Sequence, residues 1–165
     1  MKRVLSMWIV AALSPIAVAQ MGQGGGGGMH HHPGSGGTPA TSAVFTNFGA
    51  PCGADLSGTV GANLAIGFDV TNAAADAFGM VFAGAQAATP WPLPFSTCTL
   101  LVEPQHLMFG RMFVTDANGA ATISLTNGPP PANLTVSFQV VVMNHDPVTH
   151  ARTLDASNGT ELVTQ

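Results

Sequence analysis

Alternation of apolar and polar residues is the feature that most restricts the fold of this chain. Residues 134–144 carry an apolar side chain at every second position, namely Val136, Phe138, Val140 and Val142. Side chains two residues apart lie on the same face of a β-strand, so this run predicts a strand. It is the strongest such run in the chain, and we therefore expect it at the centre of a sheet.

Weaker runs of the same kind predict further strands at residues 63–71, 107–115, 121–126 and 160–164. Phe78, Met80 and Phe82 continue the apolar face of the first of these runs. After residue 19, no stretch keeps a helical period over three turns; residues 73–77 come nearest and are short. Short strands separated by Gly, Pro and Asn turns predict an all-β fold, an antiparallel β-sandwich of jelly-roll or immunoglobulin-like type.

The N-terminus has the three parts of a signal peptide. The basic pair Lys2-Arg3 precedes an apolar run at residues 4–13, and a small-residue cleavage motif ends at Ala19. A membrane anchor is the alternative, but it needs about 20 continuous apolar residues, and Ser14-Pro15 interrupts this run. We expect cleavage between Ala19 and Gln20, which predicts a secreted, cell-surface or periplasmic protein without membrane insertion after processing.

Two segments follow the expected cleavage site. Residues 20–40 are Gly-rich and lack apolar periodicity, so they predict a disordered linker. The β-sandwich domain is then expected at residues 41–165, a length sufficient for one core. His30, His31 and His32 in the linker are candidates for weak binding of a divalent metal.

The charge of the chain restricts its partners. Without Lys2 and Arg3, which lie in the leader, the chain keeps only Arg111 and Arg152 against eight acidic residues. Two cations cannot neutralise a run of phosphates, so we expect no nucleic-acid partner and no polybasic contact with anionic lipid. Charged residues make up 7% of the chain, so uncharged polar residues must cover much of the surface, as suits an extracellular module. A surface polysaccharide or a protein remains as the partner class.

Cys52 and Cys98 are the only cysteines. An even number of cysteines in an exported chain predicts a disulfide between them. A pair of metal-binding or redox thiols is the alternative, and it lacks the close Cys-x-x-Cys or Cys/His spacing that such sites use.

The order of several short motifs resembles a known domain family. These motifs are Phe48-Gly49 with Cys52, Cys98-x-Leu100, Asp116-x-x-Gly119-x-Ala121, Gln139 in the strongest strand, Asp146-Pro147 and Ser157-Asn158-Gly159. They resemble the small secreted β-rich domain of uncharacterised function that recurs in exported proteins of large-genome environmental bacteria. The resemblance covers residues 45–165 and implies an exported β-sandwich-like domain, but it implies no activity.

Polar residues near the C-terminus form one candidate site. His145, Asp146, His150 and Asp155 fall in the expected loop between the last two strands. Imidazoles and carboxylates in one loop are suited to a zinc or calcium site or to general acid–base chemistry. The alternative is a solvated loop in which Asp146-Pro147 makes a turn.

Other motifs carry weaker hypotheses. Glu103-Pro-Gln-His106 has the spacing of a metal motif, but its proline removes the helix that the motif needs. The turn at residues 116–119 is better explained as a hairpin turn with Gly119 at positive φ than as part of a calcium site. Ser157 lies in a turn rather than in a G-x-S-x-G motif. Trp91, between two prolines, is either an exposed contact for a sugar or a cap on the core.

Two functions are consistent with these features. The first is an exported non-catalytic β-sandwich module, a surface, adhesion or extracellular-matrix component carried on a Gly-rich tether. The second is a small secreted metal-dependent binder or hydrolase that uses His145, Asp146 and His150. The first needs no constellation of catalytic residues, whereas the second needs these side chains within one ligand shell.

Overall fold

The computed structural model describes residues 38–106, 109–145 and 148–165. The expected signal peptide, its cleavage site at Ala19 and Gln20, and the linker up to residue 37 with His30–His32 lie outside the described residues. So does Asp146 of the candidate metal site. The described residues contain no α-helix and are folded as antiparallel strands, so the predicted all-β class is confirmed.

Eleven strands are present among the described residues. They are β1 (Ala43–Phe48), β2 (Asp55–Val60), β3 (Ile66–Thr71), β4 (Phe78–Gly84), β5 (Gln86–Pro92), β6 (Thr99–Val102), β7 (Phe109–Val114), β8 (Ala121–Ser124), β9 (Thr135–His145), β10 (Arg152–Ala156) and β11 (Gly159–Thr164). Single 3-10 turns stand at Ala62–Leu64 and Pro104–His106.

The strands form two sheets and a separate hairpin. The large sheet has the order β1-β11-β9-β4-β7, and β10 continues along the same edge of β9 as β11. The small sheet has the order β2-β3-β8, and β5 and β6 form a two-stranded hairpin. The strand predicted to be central, β9, does lie in the middle of the large sheet.

The main core lies between the inner faces of the two sheets. The small sheet contributes Leu56, Ile66, Phe68, Val70 and Ile123, and the large sheet contributes Val81, Ala83, Val136, Phe138, Val140 and Leu162. The ring of Phe68 packs on that of Phe138 at a centroid distance of 4.7 Å. Alternate residues of β3 and β9 supply this core, as the sequence pattern predicted.

The face of β4 that carries Phe78, Met80 and Phe82 lies away from the main core. Val81 and Ala83 point into the core, whereas Phe78 is 61% exposed on the opposite face. The ring of Phe113 in β7 fills the space above Gly79, where a Cβ atom would lie 2.2 Å from that ring. The inner face of β4 therefore needs small residues, and its larger side chains are turned outwards.

The turn at residues 116–119 is confirmed, but it does not close a hairpin, because β7 and β8 lie in different sheets. The Asp116 carboxylate accepts hydrogen bonds from the Ala120 and Asn118 N–H groups at 2.9 and 2.8 Å. Gly119 has φ +72°, and a Cβ atom there would lie 1.9 Å from the Ala73 carbonyl oxygen. Glycine is required because the turn packs against this backbone.

Gln139 joins the β5–β6 hairpin to the large sheet. Its side chain is fully buried on the outer face of β9. Its Oε1 accepts a hydrogen bond from the Leu101 N–H at 2.6 Å, and its Nε2 donates to the carbonyl oxygens of Thr99 at 3.0 Å and Ser157 at 2.7 Å. One amide thus satisfies backbone groups of β6 and of the β10–β11 connection.

The Ser157-Asn158-Gly159 motif is a structural corner. The Val140 N–H donates to the Ser157 hydroxyl at 3.0 Å. The Asn158 side chain accepts from the Leu56 N–H at 2.9 Å and donates to the Leu56 carbonyl oxygen at 3.0 Å. The chain passes here from β10 to β11; the Ser157 hydroxyl gives the Val140 N–H an acceptor at this break, and the Asn158 side chain bonds to β2.

The predicted Cys52–Cys98 disulfide is present, with a Cα–Cα distance of 5.6 Å. Cys52 pairs through its backbone with Ala156 next to the large sheet, and Cys98 directly precedes β6. The bond therefore attaches the hairpin to the large sheet at a second point. Ser96 adds a third, because its hydroxyl donates to the Leu154 carbonyl oxygen and accepts from the Cys98 N–H.

We predict that Gln139→Met lowers the free energy of unfolding by about 3 kcal/mol, because it leaves buried backbone groups without their partner. Gln86→Met is the matched control, since Gln86 is exposed at the start of β5, and its effect should stay within about 0.5 kcal/mol. Urea unfolding of both variants provides the measurement. Equal stability of Gln139→Met and the wild type would show that the amide does not hold the hairpin.

Candidate functional site

The outer face of the large sheet is covered over only part of its area. The β5–β6 hairpin packs Leu93, Cys98 and Leu100 onto Val141 and neighbouring side chains of this face. This second small core exists because Gln139, Ser96 and the disulfide keep the hairpin in place. Towards β7, none of the described strands packs onto this face.

The uncovered part is apolar. Phe78, Met80, Met112, Met143 and Leu154, which we call the outer patch, surround a shallow depression of about 280 Å³. Met112 is 72% exposed and Met143 is 40% exposed. None of the residues that line the depression is charged.

Strand register brings the members of the outer patch together. Met80 stands opposite Met112 in β7, and Phe78 stands opposite Met143 in β9. Leu154 of β10 stands opposite Met143 on its other side. Directly opposed side chains contact each other across a sheet, so four strands contribute to one continuous surface. Large contiguous apolar patches on protein surfaces are frequent at interaction sites, so the outer patch is a candidate for one.

Trp91 lies in β5 rather than in a loop, and it is 45% exposed, so it does not cap the core. It lines a cleft of about 390 Å³ together with the rest of residues 87–92 and with Glu103, which follows β6. Glu103 is half-buried, and its N–H donates to the Ala85 carbonyl oxygen at 2.9 Å. The cleft thus combines an aromatic wall with a carboxylate.

The candidate metal site is only partly assembled. The rings of His145 and His150 lie 5.9 Å apart across the β9–β10 connection. Asp155 lies in β10, opposite Val142, with its carboxyl group beside Gly53. Within the described part of the chain, no three His, Cys, Asp or Glu side chains are grouped to hold a metal ion.

Asp155 is a structural carboxylate rather than part of the histidine pair. Partial burial raises the pKa of its carboxyl group, and a hydrogen bond with the Asn144 side chain opposes this effect. The carboxylate of Asp116 behaves in the opposite way, since hydrogen bonds from the Ala120 and Asn118 backbone lower its pKa.

The remaining motifs have structural roles where the structure describes them. Ser157 accepts a hydrogen bond from the Val140 N–H and donates to the Asn158 carbonyl oxygen at 2.6 Å, so its hydroxyl is engaged in the corner. Residues Pro104–His106 form a 3-10 turn.

Comparison of the chain with protein-family models, with curated proteins and with solved structures finds no match. Among the residues that the structure describes, there is no helix with the length and apolar character needed to cross a membrane. The disulfide is typical of an oxidising, extracellular environment.

Sequence reasoning did not find the outer patch. The signal was present: β4 and β7 carry large apolar residues at both odd and even positions, as in Phe78-Gly-Met-Val-Phe82 and Met112-Phe-Val114. A strand with one solvated face alternates, whereas apolar residues on both faces indicate that both are covered or bind a partner. The alternating pattern groups Phe78, Met80 and Phe82 on one face of β4 but does not indicate that this face lies away from the main core.

We predict opposite pH effects for two carboxylates. Ionisation of Asp155 is unfavourable in the folded protein, so Asp155→Asn should raise Tm at neutral pH and match the wild type in acid, where Asp155 is protonated. Asp116→Asn should lower Tm at neutral pH, and this loss should shrink as the pH falls through the lowered pKa. Thermal unfolding between pH of about 2 and 7 tests both; parallel profiles for variants and wild type would contradict the assignment.

Proposed function

We propose that the protein is an exported, non-catalytic binding module, a component of a cell surface, an adhesion system or an extracellular matrix. The observation that carries this proposal is the outer patch, an apolar surface that four strands present to solvent. The disulfide and the leader-like N-terminus support export.

The proposed architecture is a β-sandwich. In support, alternate residues of the large and small sheets share one core, and the main pairing partners are antiparallel. The β5–β6 hairpin then serves as a clip on the outside of the large sheet. A Gly-rich segment before residue 41 would act as the tether that lets this domain reach a partner.

The proposed partner at the outer patch is a protein with an apolar surface of its own. Methionine side chains are flexible and polarisable, so they adapt to irregular apolar partners. The residues that line the patch are uncharged, and this surface therefore offers nothing to an anionic polysaccharide or to phosphate. Burial of apolar area would supply the affinity, at about 25 cal/mol per Å² removed from water.

The alternative function, a metal-dependent binder or hydrolase, has one supporting observation. The imidazoles of His145 and His150 stand close enough, at 5.9 Å between ring centroids, to approach one ion together. Asp155 stands apart from them on β10, and Asp146 is outside the described residues. Two imidazoles alone form a weak site for zinc, which prefers four ligands in structural sites and three in catalytic ones.

For the outer patch, we predict that Met112→Ser combined with Met143→Ser lowers retention of the exported protein on washed producing cells by at least about tenfold. Both side chains are exposed, so the fold should persist. Val44→Ser combined with Val60→Ser is the control, because these exposed valines lie away from the patch, on β1 and β2. Equal retention of the patch variant and the wild type would refute the proposal.

For the histidine pair, we predict that added Zn²⁺ or Ca²⁺ leaves Tm unchanged to within about 1 °C, since only a ligand that prefers the folded state raises Tm. Metal binding to His30–His32 that is equally strong in the folded and unfolded states would not register in this measurement. A rise in Tm that His145→Ala abolishes would favour the metal-dependent alternative instead.

A further inference from the structure

Phe95 is a large apolar side chain that the fold leaves in solvent. It is 87% exposed at the turn between β5 and β6, and its φ is +57°. Positive φ favours Gly or Asn and is costly for a bulky residue. The turn therefore carries a phenyl ring at a position where neither burial nor backbone conformation requires one.

The turn is held in place although its ring is exposed. The Leu93 N–H donates to the Cys98 carbonyl oxygen at 3.0 Å, which closes the loop. The Ser96 hydroxyl accepts from the Cys98 N–H at 3.0 Å and donates to the Leu154 carbonyl oxygen. Cys98 is also bonded to Cys52. An aromatic side chain on a fixed turn loses little entropy on binding, so it is suited to anchor an interface.

Phe95 and the outer patch are neighbours on the same side of the molecule. Phe95 and Leu154 line one depression, and Leu154 also lines the outer patch. The β5–β6 hairpin adds a layer on part of the outer face, whereas none of the described strands packs onto this face towards β7. The outer face is therefore stepped, with the hairpin as its raised part and the outer patch as its lower part.

The raised and lower parts of this face have no charges that would keep a second copy away. The residues that line the outer patch are uncharged, and so are residues 93–98 around the turn. The whole chain has eight acidic residues against four basic ones, so two copies repel each other at long range. Close approach of two copies is therefore easiest through an uncharged surface of this kind.

We propose that the outer patch binds the Phe95 turn of a second copy of this chain, in a two-fold dimer in which each copy gives one ring and receives one. In a two-fold contact, the same surface of both copies is used, and each pair of contacts occurs twice. One partner then accounts for both the exposed ring and the uncovered patch. This inference rests on the proposed function, because it names the protein that the outer patch binds.

Sedimentation velocity of the exported protein tests the dimer. We expect conversion of monomer to dimer with a Kd of about 10 µM. Phe95→Asn removes the ring but keeps a residue that accepts positive φ, and it should weaken the dimer about hundredfold because two ring contacts are lost. Met112→Ser combined with Met143→Ser should weaken the dimer equally. Val44→Ser combined with Val60→Ser is the control, on β1 and β2, and should dimerise like the wild type.

A mixture of the two weakened variants tests the contact itself. Phe95→Asn keeps an intact outer patch, and the methionine variant keeps an intact ring, so a mixed dimer retains one of the two contacts. Its Kd should lie about tenfold above that of the wild type and about tenfold below those of the variants alone. If the ring and the patch do not meet, the mixed dimer will be as weak as the dimers of the separate variants.

Several results would overturn the proposal. These are a wild type that stays monomeric up to about 500 µM, assemblies larger than a dimer, an unimpaired Phe95→Asn dimer, and a mixture without recovery. A lower Tm of Phe95→Asn at dilutions where the wild type is monomeric would also contradict it, because the ring would then serve the fold. A monomeric wild type together with loss of cell retention by the methionine variant would refute the dimer and leave the proposed function intact.

Discussion

The attachment of the β5–β6 hairpin to the large sheet is the constraint on which the two candidate surfaces depend. Gln139 provides this attachment with one buried amide that bonds to Leu101, Thr99 and Ser157. The Cys52–Cys98 disulfide provides a second link directly before β6. The hairpin packs on part of the outer face of the large sheet and forms a small core there. The outer patch lies beside the hairpin on the same face. The cleft beside Trp91 exists only because the hairpin is held in its irregular register.

Side-chain size decides which residues of β4 face the core and which face outwards. Small residues of β4 point inwards, since Phe113 and the residues of β9 already fill the core above them. Larger residues of β4 then face outwards, where they meet Met112 and Met143. A purely structural sheet would place polar residues at these positions. Their apolar character is therefore best explained by a partner that covers them, as the proposed binding function requires.

The sequence predicted the all-β class, the disulfide and the central strand, because alternation and cysteine number depend on local rules. It missed β1, β2, β5, β6 and β10. In β5, Pro90 and Pro92 are typical of loops, and only the bulge makes them acceptable within a strand. In β10, the polar segment Arg152–Ala156 resembles a solvated connection, yet it pairs with β9. Trp91 and Glu103 each stand out in the sequence, but their meeting in one cleft does not, since it arises from strand register. The register depends on how two strands pair, so the residue pattern within a single strand does not predict it.

Native-state hydrogen exchange is the most direct test of the hairpin attachment. The reporters are the Leu101 amide, which bonds to Gln139, and the Val140 amide, which bonds to Ser157 in the large sheet. In the Cys52→Ala, Cys98→Ala double variant, the account predicts that Leu101 loses protection at least about tenfold more than Val140, since the hairpin opens locally while the sheets stay folded. Equal losses at both amides would contradict it, because the hairpin would then be part of one indivisible fold rather than a separately attached element.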